Sequence, residues 1–172
     1  MNDLLGDRVS LIGIRERNNP LDVVERVAIA NDWPFERLND AEITLFASGD
    51  WANYQISFTW MDDTEVLHLA CAFKVKVPQQ RLSEVQRLVA AVNEQLWIGH
   101  FDVWIQNDII MFRHALLLVG GALVSPRQCE AALGCALDTC ESYYPAFQFV
   151  LWSQKSAREA METVMFKTSG RA

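Results

Sequence analysis

The stretch from Phe101 to Leu118, FDVWIQNDIIMFRHALLL, decides the fold because two apolar runs flank Asn107-Asp108. Two Asx residues between such runs suit a two-residue type I′ turn, which needs positive φ at both central positions. Gln106 is then expected opposite Ile109, Ile105 opposite Ile110, Trp104 opposite Met111, Val103 opposite Phe112, Asp102 opposite Arg113 and Phe101 opposite His114. Alternate pairs point to opposite faces. One face is core. The other carries Trp104, Met111 and Ile109 beside the charged pair Asp102/Arg113, a mixture that a water-washed face does not require. Either a helix of the same chain covers this patch or a partner does.

The alternation extends upstream. Residues 54–60 alternate apolar and polar throughout, as a strand with one buried face does. After a turn at Met61-Asp62-Asp63-Thr64, Leu67, Leu69, Cys71, Phe73, Val75 and Val77 form the next apolar register. Val66, His68, Ala70, Ala72, Lys74 and Lys76 lie opposite them. Ile43 to Phe46 reads as a further strand, and Trp33 to Arg37 as an extended lead-in to the sheet, because the residue before Pro34 avoids helical backbone.

Three helices are punctuated clearly. Asn19 caps a helix with Pro20 at its first position and Leu21, Val24, Val27 and Ala28 on one side. After Pro78, Leu82, Val85, Leu88, Val89, Val92 and Leu96 form a stripe, with Gln79, Arg81, Glu84, Arg87 and Glu94 on the wet side and Gly99 as the stop. Ser125-Pro126-Arg127-Gln128 opens a third helix with a capping box, Val124 stapling onto Cys129. Pro145 is expected to bend or break it ahead of the dense apolar segment 147–152, and a short helix restarts near Ser156.

The fold class is therefore α+β, an antiparallel sheet of about five strands with helices packed on it, in the order α-βββ-α-ββ-αα. A chain of 172 residues fits one domain, placed at 19–167 between an N-terminal tail, 1–18, and a C-terminal tail, 168–172. With 51% hydrophobic and 22% charged residues it is a packed globular chain. Its net charge of -7 and pI near 4.9 argue against nucleic acid and membrane partners. No apolar run approaches the roughly 20 residues of a spanning helix, and Met1 to Ser10 does not read as a signal peptide, so a cytoplasmic location is expected.

No reaction chemistry stands out. The three histidines, His68, His100 and His114, have no two-ligand spacing, and Cys129 and Cys140 on one helix are separated by about 16 Å of rise, so no metal site and no cofactor are expected. His114 falls on the core face, His100 is placed to complement the end of the preceding helix, and His68 either meets a partner or is solvated. Nucleophile elbows and glycine-rich phosphate loops are missing, and Cys129 reads as an inward-facing small hydrophobe. The expected catalytic set is empty, and the chain is read as no enzyme.

The segments 31–37, 70–73, 92–101, 111–118 and 144–150 resemble the YbjN-like family of putative bacterial sensory-transduction regulators, over about Asn19 to Met165. That resemblance implies a fold similar to type III secretion chaperones, small acidic proteins that dimerise and hold extended segments of client polypeptides. It brings no catalytic residues. The expectation is a homodimer that holds an unknown protein client on an apolar sheet face. Trp104 and Met111 supply apolar contact, Asp102 and Arg113 orient the ligand, and Trp33 and Phe35 stand at the rim. The alternative is a small-molecule-binding sensory domain with a pocket between residues 143–152 and the sheet.

Overall fold

The computed structural model of the chain describes residues 19–169. The predicted tail 1–18 lies outside them. The first helix, α1 (Pro20–Ala30), begins where expected, the Asn19 side chain accepting the Leu21 N–H at 2.9 Å, and it buries Leu21, Val24, Val27 and Ala28. Four strands follow, β1 (Phe35–Asn39), β2 (Glu42–Ser48), β3 (Asn53–Met61) and β4 (Val66–Lys76). Then come α2 (Leu82–Asn93), β5 (His100–Trp104), β6 (Ile109–Leu117), α3 (Pro126–Trp152) and α4 (Ala157–Ser169). The sheet is antiparallel with strand order β1-β2-β3-β4-β6-β5. It has six strands rather than about five, because the lead-in after Pro34 itself pairs with β2.

The β5–β6 register differs from the expected one. Trp104 pairs with Ile109, Asp102 with Met111 and Phe101 with Phe112, leaving a four-residue loop from Ile105 to Asp108. Only Asp108 of the central Asx pair has positive φ, 55°, so the I′ turn does not form. A turn closed by Asn107 N–H on the Trp104 carbonyl (3.1 Å) takes its place, and the Val77 N–H ties down the Asp108 carbonyl (2.8 Å). The slip in pairing is two residues, an even number, so every side chain keeps its predicted face.

All the sheet's helix contacts fall on one face: α1 lies against β1, β2 and β3, α2 against β5, and α3 against β4 and β6, while α4 packs on α2 and α3 as an outer layer. The covered face buries Ile43, Leu45, Tyr54, Ile56, Phe58, Leu67, Leu69, Cys71, Phe73, Phe101, Val103, Ile110 and Phe112. Phe73 is the hub, with ring centroids 5.1 Å from Tyr144, 5.4 Å from Phe147, 5.8 Å from Phe101 and 6.3 Å from Tyr54. Such tilted and edge-on pairs add about 0.5–1.5 kcal/mol each to the area they bury.

That packing explains why α3 runs through Pro145 instead of breaking there. A proline inside a helix removes one backbone hydrogen bond, at about 3 kcal/mol. Tyr144, Ala146, Phe147 and Val150 around it are all buried, so leaving the helical path would strip several large side chains from the core. The break comes after Trp152, where Arg81 donates to the carbonyls of Val150 (2.8 Å) and Lys155 (2.5 Å) and the Glu84 carboxylate accepts the Ala157 N–H (2.9 Å). Arg81 and Glu84 are thus the ties of the α3–α4 junction rather than part of a wet face. The Ala157 amide holds the Glu84 carboxyl below its ordinary range.

Gly99 does not end α2, which stops at Asn93, but opens β5 with φ 69°. A side chain there would strike the Phe112 ring and come within 2.8 Å of the Arg113 carbonyl. We expect Gly99→Ala to lower unfolding stability by about 1–3 kcal/mol in denaturant titration. An unchanged midpoint would show that this approach is not built into the fold.

Candidate functional site: the open face of the sheet

With the helices on one side, the even-numbered positions of β5, β4 and β2 and the odd-numbered positions of β3 and β6 form a second face. Among the described residues no helix packs on it. One row crosses all six strands: Glu36, Thr44, Ser57, Ala70, Arg113 and His100. A second runs Phe46, Gln55, Ala72, Met111 and Asp102, and a third runs Glu42, Thr59, His68 and Ala115. The middle of the face is floored by small side chains. Large apolar groups stand around it: Trp104 is 55% exposed, Leu117 66%, Met61 41% and Phe46 38%.

Arg113 organises the polar centre. Its Nη1 lies 3.1 Å from Asp102 Oδ2, and its Nε–H donates to His68 Nε2 at 3.1 Å. The Asp102–Arg113 contact is diagonal, because Arg113 is directly opposite His100 and Asp102 opposite Met111. Asp102 Oδ1 also accepts the Val103 N–H at 2.8 Å. Both charged partners are over a third exposed, so the pair contributes about 0.2–1 kcal/mol and acts chiefly to orient the guanidinium. Partial burial lowers the His68 pKa, and Arg113, His100 and His114 lower it further. A neutral imidazole is what the geometry requires, since Nε2 must offer a lone pair to Arg113. His114, on the covered face opposite Leu69, is also lowered, by burial and by His100.

The outer edge of this region is closed to further strands. The Asn93 side chain donates to the Phe101 carbonyl (3.0 Å) and accepts its N–H (2.7 Å), occupying both groups that an added strand would use there. Addition of a strand at Phe101 is therefore blocked on the β5 edge.

The structure brings Asp102, Trp104, Met111 and Arg113 together on the open face. Met111 belongs to it but is only 7% exposed, set between Ala72 and Asp102. Trp33 and Phe35 are elsewhere: Phe35 pairs with Leu45 on the helix-covered face of β1, the opposite edge strand, and both rings pack half-buried against the core. His100 lies in β5 opposite Arg113 on the open face. Phe46, Met61 and Leu117 join the site without having been singled out in the sequence, and with them His68, whose two readings there were contact with a partner or solvation. Alternation marks the faces of single strands, but only the β4–β6 pairing sets His68 beside Arg113.

Around the predicted small-molecule pocket, Tyr144, Phe147, Val150 and Leu151 fill the core. A groove of about 770 Å³ lies instead between α2 and α4, with Ala91, Ala157, Met161 and Met165 among its lining. Burial pushes the Cys129 thiol up to about 11, as suits an inward-facing cysteine. No helix among the described residues is long and apolar enough to cross a membrane.

Sheet and helices together define an α+β protein with a six-stranded antiparallel sheet that, among the described residues, carries helices on one face. The chain belongs to the YbjN family, described as a putative bacterial sensory transduction regulator, which it matches over residues 20–149. Its fold is that of the crystal structure of YbjN, a putative transcription regulator from E. coli. The TM-score is 0.52 at 10% identity, covering 70% of this chain and 85% of that one. No curated protein matches the sequence.

A lowered His68 pKa means that the unfolded chain, with its histidine near 6.5, binds the proton first as pH falls. Stability from this centre is complete above pH 6.5 and declines as pH drops through 6.5, levelling off below the folded-state value; His114 adds to the same window. In NMR titration His68 should show a midpoint below 6.5 and, when neutral, carry its proton on Nδ1. A midpoint at or above 6.5 would contradict the Arg113 contact.

Proposed function

We propose that this chain is a regulatory protein that works without turnover, by holding another polypeptide against the open face of its sheet. The observation that carries the reading is the combination of exposed Trp104, Leu117, Met61 and Phe46 with an oriented Arg113–Asp102–His68 centre on a face that no described helix covers. One bare face is ordinary for an antiparallel sheet. Large apolar side chains around a fixed ionic centre are not what water selects; they match an interface, where aromatic and Met contacts supply affinity and polar groups set orientation. Membership of a family of described regulators supports a role exercised through binding. The acidic composition and the free cysteines support a cytoplasmic protein whose partner is protein rather than nucleic acid.

The groove between α2 and α4 favours a second reading, a small-molecule sensor, since its volume falls in the range of ligand sites and its lining sets Ala91, Ala157, Met161 and Met165 among charged groups such as Arg87 and Glu94. Stabilisation of the purified chain by several degrees with one metabolite, lost in Met161→Asp, would support it.

The polypeptide-holding reading is tested with a photo-reactive phenylalanine analogue at the exposed position Gln55 on the open face. Cross-links to a polypeptide are expected in cells, and a Trp104→Ser background should reduce them several-fold while thermal stability changes little, as befits an exposed side chain. Equal cross-linking in both backgrounds, or none in either, would contradict it.

A further inference from the structure

We propose that the polypeptide seated on the open face presents an acidic segment to one end of the sheet, where Lys74 and Lys76 receive its carboxylates and Trp104 and Ile109 its apolar side chains. This rests on the reading of the open face as a polypeptide-holding surface and names the chemistry of what is held. The face changes character along β4. At the start of that strand Met61, Val66 and Leu117 lie side by side as an apolar row, and Ser57, Ala70 and Ala72 floor the middle. At its far end Lys76 stands opposite Ile109, which stands opposite Trp104. Phe73, Val75 and Val77 turn toward the core, so Lys74 shares the open face with Lys76, about 7 Å away along the strand.

Arg37, Arg87, Arg113 and Arg158 each meet a carboxylate of this chain. Lys74 and Lys76 are exposed and make no ion pair with any described residue, Asp108 beside Ile109 included. Since Asp102 balances Arg113, the two lysines are the uncompensated charge at this end of a face whose acids Glu36 and Glu42 stand on β1 and β2. The whole chain carries -7, so this corner reverses the sign of its surroundings. Two ammonium groups so close repel each other, and a carboxylate placed between them relieves the repulsion. The indole of Trp104, in the same row, adds the aromatic contact on which interface affinity depends. Phosphate would be drawn to the same lysines, but a nucleic acid carries a charge at every nucleotide and would extend it across the acidic β1–β2 side. A polypeptide can confine its acids to the cationic end.

The test starts from a displayed library of random peptides about twelve residues long, enough to run the length of β4 when extended, selected on the purified full chain. Enriched sequences should combine acidic residues with aromatic or aliphatic ones. An enriched peptide, fluorescein-labelled and titrated by anisotropy, should bind the Lys74→Glu/Lys76→Glu variant about tenfold more weakly than wild type. Arg26→Glu/Arg127→Glu makes the same change in net charge at exposed positions of α1 and α3, away from the open face, and should bind within about twofold of wild type at physiological ionic strength. All the substituted side chains are exposed, so circular dichroism and thermal melting should match wild type.

Selection that yields neutral or basic sequences, or none, overturns the proposal, as does an acidic peptide that ignores the lysine reversal or responds equally to the helix variant. So does a single-stranded oligothymidylate that binds wild type more tightly than the peptide and loses that binding in Lys74→Glu/Lys76→Glu, which would assign the cations to phosphate. Cross-links from position 55 in cells separate this failure from that of the holding function. Links to a polypeptide whose cross-linked segment is not acidic leave the holding function standing with another client chemistry, whereas no links to any polypeptide remove both.

Discussion

The aromatic lock between α3 and the middle of the sheet is the interaction on which the rest of the structure depends. Phe73 on β4 sits among Tyr54, Phe101, Tyr144 and Phe147, so one long helix is held across the central strands by rings that bury on the order of 150–250 Å² each. Those contacts outweigh the hydrogen bond that Pro145 removes. They commit α3 to a single side of the sheet; α1 and α2 join it there, and α4 closes the layer from outside. Among the described residues the opposite face is thereby left without a helix.

What that face carries follows from strand periodicity. Because side chains alternate, a strand that buries Leu69 and Cys71 must present His68, Ala70 and Ala72 on the other side, and β6, burying Ile110 and Phe112, must present Met111 and Arg113. Small residues, Ser57, Ala70 and Ala72, keep the middle of the face low, and Lys74 and Lys76 follow them along β4. The Asn93 clamp on Phe101 removes the simplest alternative, pairing of a further strand onto β5. On the proposed reading, a surface made in this way meets another polypeptide in broad, flat contact.

Much of this was legible in the sequence because the signals were local. Caps at Asn19 and Ser125, the strict alternation of residues 54–60 and the two-sided β4 depend on neighbours in the chain, and the structure reproduces them. The residues Asp102, Trp104, Met111 and Arg113 were correctly assigned to one face even though the turn is two residues longer than expected, since an even slip preserves side-chain parity. Long-range terms were not legible. Pro145 reads as a helix breaker until Phe147 and Phe73 are seen to pack. Arg81 and Glu84 read as solvated until the α3–α4 junction comes to meet them. Trp33 and Phe35 look like rim aromatics until β1 is placed at the edge farthest from β5, with Phe35 turned toward the helices. His68 became part of the site only through the pairing of strands distant in sequence.

The central claim, that the uncovered face is a surface the protein uses, is tested most directly by hydroxyl-radical footprinting of the chain in cells against the dilute purified chain. The account predicts that Trp104, Met61 and Phe46 are oxidised readily in dilute solution and protected in cells, while the core ring of Phe147 stays unlabelled in both. Equal oxidation of the three side chains in both settings would contradict it, since the face would then meet only water.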